Sequence, residues 1–180
     1  DERNGEDDLD VFLSYSDNNG DSWCNPIRVN DDGPGKQQFF TWMAVDHSNG
    51  GIHIVFYDRR NHDDATTDVY VASSFDGGEL FVNQLVSESS FLPEGKVFFG
   101  DYNNISAVDG HVRPIWTREV DGVLTIMTAI LDFSLHIGRF ILMNTQQSNL
   151  DNCLNILLTE YIHPLQRSFV RSCGRCSRKL

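Results

Sequence analysis

A chain of 180 residues with an apolar fraction of 40% has the material for one or two packed domains. Its 26 acidic against 14 basic side chains, a net charge of −12, exclude a general attraction to nucleic acid or to an anionic membrane surface, and no apolar run is long enough to span a bilayer. The charge is uneven. Residues 1–132 hold 8 Lys+Arg against 24 Asp+Glu, whereas residues 133–180 hold 6 against 2 and three of the four cysteines, Cys153, Cys173 and Cys176. A boundary is therefore expected near Asp132.

In chain order, Asp1 to Asp8 is polar and turn-rich. A strand is expected at Val11–Tyr15, then a Gly-containing turn reaching Trp23, a short strand around Ile27–Val29, and a Gly/Pro loop from Asn30 to Lys36. A complete unit of four strands follows. Phe39–Val45 leads through a tight turn at His47–Gly51 into Ile52–Tyr57, the polar loop Asp58–Thr67 into Val69–Ala72, and a second Gly-rich turn into Phe81–Val86. A third unit opens at Phe98-Phe99, turns at Asp109-Gly110 and continues through Ile115-Trp116-Thr117-Arg118, which aligns with Phe56-Tyr57-Asp58-Arg59 at an offset of 59 residues. Val123–Ile130 is its next strand, and the alternation of Phe133, Leu135 and Ile137 fits a last one. Beyond that, Leu154, Leu157, Leu158, Tyr161, Ile162 and Leu165 fall on one helical face that Pro164 interrupts, so residues 133–180 read as an irregular or helical tail.

One stretch repeats. Asp10, Val11, Ser16, Gly20 and Trp23 stand 58 residues before Asp68, Val69, Ser74, Gly78 and Phe81, and a constant offset of this length marks a repeat architecture. Asp1-Glu2-Arg3-Asn4 likewise looks like Asp58-Arg59-Arg60-Asn61. The repeated turn reads Ser16, Asn18, Gly20, Trp23 and Ser74, Asp76, Gly78, Phe81, with the chemistry of a hairpin. Gly supplies a positive φ, Ser and Asp/Asn bond the nearby backbone, and the aromatic is expected to pack into the core. Asn18 stands in place of the carboxylate of the second copy.

This pattern resembles the Asp-box, or bacterial neuraminidase repeat, of sialidase-like β-propellers, over residues 1–131. The resemblance implies an all-β fold: a partial β-propeller of four-stranded antiparallel blades at residues 1–132, with two to three blades present. Propellers close with about 4 to 8 blades, so the remaining blades are expected from a longer chain. The opening at Asp1 without a signal-peptide pattern fits a removed leader or an excerpt. The resemblance further implies a secreted or cell-surface protein that meets a glycan or glycoprotein, either as an exo-sialidase or related glycoside hydrolase acting on anionic glycans, or as a non-catalytic glycan- or protein-binding propeller.

In an up-and-down blade, the loops between second and third strands share a rim with the blade-to-blade connections, opposite the Asp-box turns. On that rim the sequence offers Asp58, Asp101 and Tyr102 as catalytic candidates and Arg59, Arg60 and Arg118 as binders of an anionic sugar. Arg clamps a carboxylate with two charge-assisted hydrogen bonds, and sialidases use a Tyr nucleophile with a carboxylate partner. The Phe/Tyr-Arg-Ile-Pro motif of the family is absent; Arg113-Pro114-Ile115 holds those residue types in another order. Asp58 and Arg59 also fit an ion-pair network tying adjacent blades. No cofactor is expected. Calcium is a minor candidate for His62-Asp63-Asp64 with Asp68, against a solvated acidic loop. Cys173-Gly174-Arg175-Cys176 lacks the second pair of a zinc site. Asn104-Ile105-Ser106 fits the N-glycosylation pattern.

Overall fold

In a computed structural model of the chain, residues 1–5, 7–93 and 102–134 are described. The chain divides into two compact units, Asp1–Ser14 with Pro26–Met143 and Tyr15–Asn25 with Asn144–Leu180. Of the second unit, the described part is the hairpin at residues 15–25. Every regular element among the described residues is a strand, so the fold is all-β, built of antiparallel sheets. No helix among them is long and apolar enough to cross a membrane.

The first unit contains three sheets. β1 (Phe12–Leu13) pairs with β2 (Ile27–Arg28) in a two-stranded sheet. β3 (Gln38–Asp46), β4 (Gly51–Asp58), β5 (Asp68–Ser74) and β6 (Val82–Leu85) form a four-stranded meander in sequence order. β7 (Asn104–Val108), β8 (His111–Val120), β9 (Val123–Thr128) and β10 (Leu131–Asp132) form the third sheet. Val112 pairs with Ala107 on one edge of β8 and with Leu131 on the other, and Ile115 likewise pairs with Asn104 and Thr128. β9 and β10 therefore follow one another along the same edge. Of the expected last strand, Phe133 lies past β10 with its N–H on the Gly110 carbonyl at 2.7 Å, and Leu135 and Ile137 lie outside the described residues. Phe98-Phe99 and the rest of the tail lie outside them too.

The central strands β4 and β5 of the middle sheet are buried on both faces, which explains their nearly continuous apolar sequence, whereas β3 and β6 are largely exposed. On β4 and β5, side chains alternate. Ile54, Phe56, Tyr70 and Ala72 pack with Val11, Val29 and Phe81 toward the β1–β2 sheet. Val55, Tyr57, Val69 and Val71 pack with Ile105, Val112, Trp116 and Leu131 toward the β7–β10 sheet. The Tyr57 hydroxyl joins these two sheets, donating to the Thr117 carbonyl at 2.8 Å and accepting the Thr117 N–H at 3.1 Å. Burial pushes its pKa up to about 12, partly offset by that bond.

The faces of β8 correct the 59-residue alignment. The β3–β4 and β7–β8 turns both end on a left-handed glycine, Gly50 (φ 76°) and Gly110 (φ 78°). The true offset is therefore 60, with Trp116 at the position of Phe56 and Arg118 at that of Asp58. Phe56 and Trp116 both point at the preceding sheet. A slip of one residue would turn every side chain to the opposite face.

Candidate functional site

The segment Asp-x-Arg-Asn folds the same way in both copies. Asp1 accepts the Arg3 N–H at 2.9 Å, and Asp58 accepts the Arg60 N–H at 2.7 Å. Each arginine then folds back onto its own aspartate, Nη2 to Oδ2 at 2.6 Å for Arg3 and 2.7 Å for Arg60. The guanidinium settles over the aromatic ring at the matching strand position, 4.0 Å above Phe12 and 4.2 Å above Tyr70. The asparagine reaches the aspartate that opens that strand: Asn4 donates to Asp10, and Asn61 to Asp68 at 3.2 Å. All of these bonds span few residues, so a local motif specifies them.

Around Asp58 the rim candidates are tied into a network. Asp58 is fully buried at the end of β4 and also accepts Gln38 Nε2 at 3.2 Å. Burial pushes its carboxyl pKa up, against the Arg60 charge and the hydrogen bonds that favour the anion. Arg60 spans from Asp58 to Asp31 at 2.5 Å and to Asn83 Oδ1 at 3.1 Å. Burial lowers its pKa, but the Asp58 charge and the Asp31 and Asp58 bonds outweigh that and raise it. Arg28 pairs with Asp10 at 2.6 Å and Asp32 at 3.3 Å, and Asn30 donates to Asp10 at 2.6 Å and to Asp32 at 2.7 Å. The Arg60–Asp31 pair, the bonds of Gln38 with Asn30 at 2.8 Å and Asp32 at 3.0 Å, and the bond from Asn83 to the Val29 carbonyl at 2.9 Å bind the β1–β2 sheet to the β3–β6 sheet.

Arg118 makes the corresponding tie one sheet later. Its Nη1 donates to Glu88 at 3.2 Å and to Ser89 at 2.9 Å, in the segment after β6. Asp31 holds the matching place after β2, 57 residues before Glu88. Arg59 donates to Gln37, lies 3.4 Å from Thr67 Oγ1, and rests 4.9 Å over the Phe39 ring. Burial lowers its pKa, opposed by the Asp64 charge. The Tyr57–Thr117 bonds bring the ends of β4 and β8 together, so Arg59 and Arg118 stand at one end of the two sheets. Tyr102, 77% exposed, lies just before β7 at that same end, because Asn104 pairs with Ile115. Asp101 lies outside the described residues. The structure thus brings Asp58 and Arg60 together directly, and engages Arg59, Arg60 and Arg118 with internal partners.

Both Ser turns close with the same bonds, one between β1 and β2 and one between β5 and β6. Ser16 Oγ accepts the Gly20 N–H at 2.8 Å and donates to Asn18 at 2.8 Å; Ser74 Oγ accepts the Gly78 N–H at 2.9 Å and donates to Asp76 at 2.8 Å. Gly20 and Gly78 hold φ values of 92° and 90°, which only glycine adopts without strain. Asp76 Oδ1 then accepts the N–H groups of Glu79 and Leu80 at 3.0 and 3.1 Å, and Asn18 Oδ1 that of Ser22 at 3.0 Å. The aromatics differ: Phe81 is buried at 7% exposure, whereas Trp23 is exposed at 63%, contrary to the expectation that both pack inside.

At the candidate calcium loop, His62 Nε2 lies 3.0 Å from Asp68, Asp63 pairs with Lys36, and Asp64 accepts the Thr66 N–H at 2.8 Å. Among the described residues, no three such groups converge as a metal site. Asn104 and Ser106 are both exposed on β7.

Sequence reasoning missed the partners that satisfy the rim: Asn30, Asp31, Asp32, Gln38, Glu88 and Ser89. The offset could have found part of them. Asn30 Oδ1 accepts the Val11 N–H at 2.9 Å, and Ser87 Oγ accepts the Val69 N–H at 3.0 Å, so polar residues recur 57 apart behind recurring strands. It also missed two buried groups. Asp46 accepts the Gly110 N–H at 2.6 Å and Ser48 Oγ at 2.7 Å. Burial would raise its pKa, but these bonds hold it down at about 2. His53 bonds Ser73 through Nδ1 at 2.8 Å beneath Phe75 and Phe133, and burial pushes its pKa down to about 4. With this geometry in hand, comparison with known proteins finds no protein-family model, no curated protein and no solved structure that matches the chain.

Proposed function

We propose that this chain is part of a secreted or cell-surface Asp-box β-propeller, similar to the sialidase-like group, that works as a non-catalytic glycan- or protein-binding unit. The observation that carries the propeller part is the pair of Ser turns that share their Ser-to-Gly and Ser-to-Asp/Asn hydrogen bonds at a 58-residue offset, each joining antiparallel strands. The non-catalytic part is supported by the state of the rim. Asp58 is buried under three donors, and Arg60 and Arg118 are consumed in ties between sheets. A carboxylate held this way cannot exchange a proton with a substrate without breaking the tie.

A second reading, an exo-sialidase or related glycoside hydrolase, is favoured by exposed Tyr102 at the end that carries Arg59 and Arg118. The test is a glycan array run beside a fluorogenic sialoside assay. Retention of anionic glycans without hydrolysis, weakened by Arg59→Ala, is the expected result. Turnover that Tyr102→Phe abolishes would replace this reading with the second. Neither binding nor turnover would leave a structural surface protein.

A further inference from the structure

At the end away from Tyr57, the middle and third sheets meet through a closed chain of contacts. Asp46, at the end of β3, accepts the Gly110 N–H at 2.6 Å, and the Gly110 carbonyl in the β7–β8 turn accepts the Phe133 N–H at 2.7 Å. Phe133 lies stacked on the His53 ring of β4, with ring centroids 5.1 Å apart. Gly110 holds a place that no side chain could share, since an added Cβ would come within 2.5 Å of the Ser134 backbone. The third sheet is thus held on the middle sheet here by one backbone turn and one ring, and that ring covers a histidine.

His53 is sealed in. It is fully buried, with Phe75 edge-on at 5.6 Å and Phe133 above it. Nδ1 lies 2.8 Å from Ser73 Oγ, whereas Nε2 is buried without a hydrogen-bond partner and packs so close to Gly51 that an added Cβ there would meet it at 2.9 Å. The neutral ring carries one N–H, which Ser73 can accept; the protonated ring carries two and a charge. Inside the closed contact the second N–H finds no acceptor, and a buried charge lacking its hydrogen bonds is strongly disfavoured. Of the charged groups on the surrounding elements, Asp46 favours the proton on His53, but burial outweighs it. His47 in the β3–β4 turn, Asp76 in the Ser turn and Asp109 in the β7–β8 turn are exposed, and His111 lies 3.7 Å from Asp132 at the edge of the third sheet.

We infer that His53, Phe133 and Gly110 form a proton-sensitive latch between the middle and third sheets, which acid opens locally while the central strands stay folded. Proton uptake needs Phe133 to lift from the ring, so acid favours the open contact and neutral pH the closed one. All the groups involved belong to the described residues of one unit, so the inference is independent of the glycan reading.

Amide hydrogen exchange on the full chain, read as protection factors at about pH 7.5 and about pH 5, tests this. An open-state imidazole near 6.5 against about 4 in the closed state makes the Gly110 and Phe133 amides lose about 30-fold in protection over that range, while Val55 and Val71 keep theirs. His53→Leu should abolish the pH dependence, and His53→Gln, which can still bond Ser73, stands in if His53→Leu does not fold. Unchanged protection at Gly110 and Phe133 in the wild-type chain overturns the inference. An equal loss at Val55 and Val71 does so too, in favour of global unfolding, as does a loss that persists once the imidazole is gone.

Discussion

The two Ser turns use the same atoms and end differently. Ser16, Asn18 and Gly20 reproduce the bonds of Ser74, Asp76 and Gly78 within about a tenth of an ångström at the Ser-to-Gly contact, yet Trp23 is exposed where Phe81 is buried. The hydrogen bonds are local and need only the right residues at short spacing. Burial needs a surface to bury against, and Phe81 has one in Val11, Val29, Ile54 and Phe56. The complete repeat also roofs His53 with Phe75, where the first copy has Asp17. A repeated motif thus carries a turn, while the neighbours decide what the turn stabilises.

The largest effect expected from this contrast is at the aromatics. Phe81→Ala should cost about 3–4 kcal/mol in urea unfolding, whereas Trp23→Ala should cost less than about 0.5 kcal/mol. Equal losses would break the comparison. Next comes acid sensitivity. His53 binds protons more weakly folded (pKa about 4) than unfolded (6.5), so folding stability should fall as pH drops from about 6.5 toward 4 and level off below. A shift of this size corresponds to at most about 3 kcal/mol, and His53→Leu should remove that slope. Asp46 acts lower. Its pKa is depressed to about 2 from 3.8, so its contribution is present above about pH 4 and is lost as pH falls toward 2; Asp46→Asn should flatten that window and, by removing a charge that favours protonated His53, push the His53 pKa lower still.

The smallest effects sharpen the polar half of the comparison. Asp76→Ala removes an acceptor serving Ser74, Glu79 and Leu80, and should lower stability by about 1 kcal/mol. Asn18→Asp keeps the acceptor and should change stability by less than about 0.5 kcal/mol. Urea midpoints at neutral pH measure both. A larger loss at Asn18 than at Asp76 would mean that the two turns do not rest on the same bonds.

The rim shows where reading the residues stopped. Asp58, Arg59 and Arg60 stood out because charged residues cluster after an apolar strand. What the cluster does depends on Gln38, Asp31 and Asn83, none of them near it in sequence except through folding. The alignment of Arg118 with Arg59 slipped for a different reason. The β3–β4 turn is longer than the β7–β8 turn, and an alignment anchored on aromatic pairs slipped by one residue. In a strand, that slip moved Arg118 from the position of Asp58 to that of Arg59 and reversed its face.

The residues alone determined the strands, the antiparallel hairpins and the Ser–Gly closure, because each depends on alternation or on bonds reaching two to four residues. Only the tertiary structure decided that Asp58 is buried and tied, that Tyr102 is exposed, and that Phe81 and Trp23 differ. Those outcomes depend on which sheet lies against which face, and desolvation is set by neighbours far away in the chain.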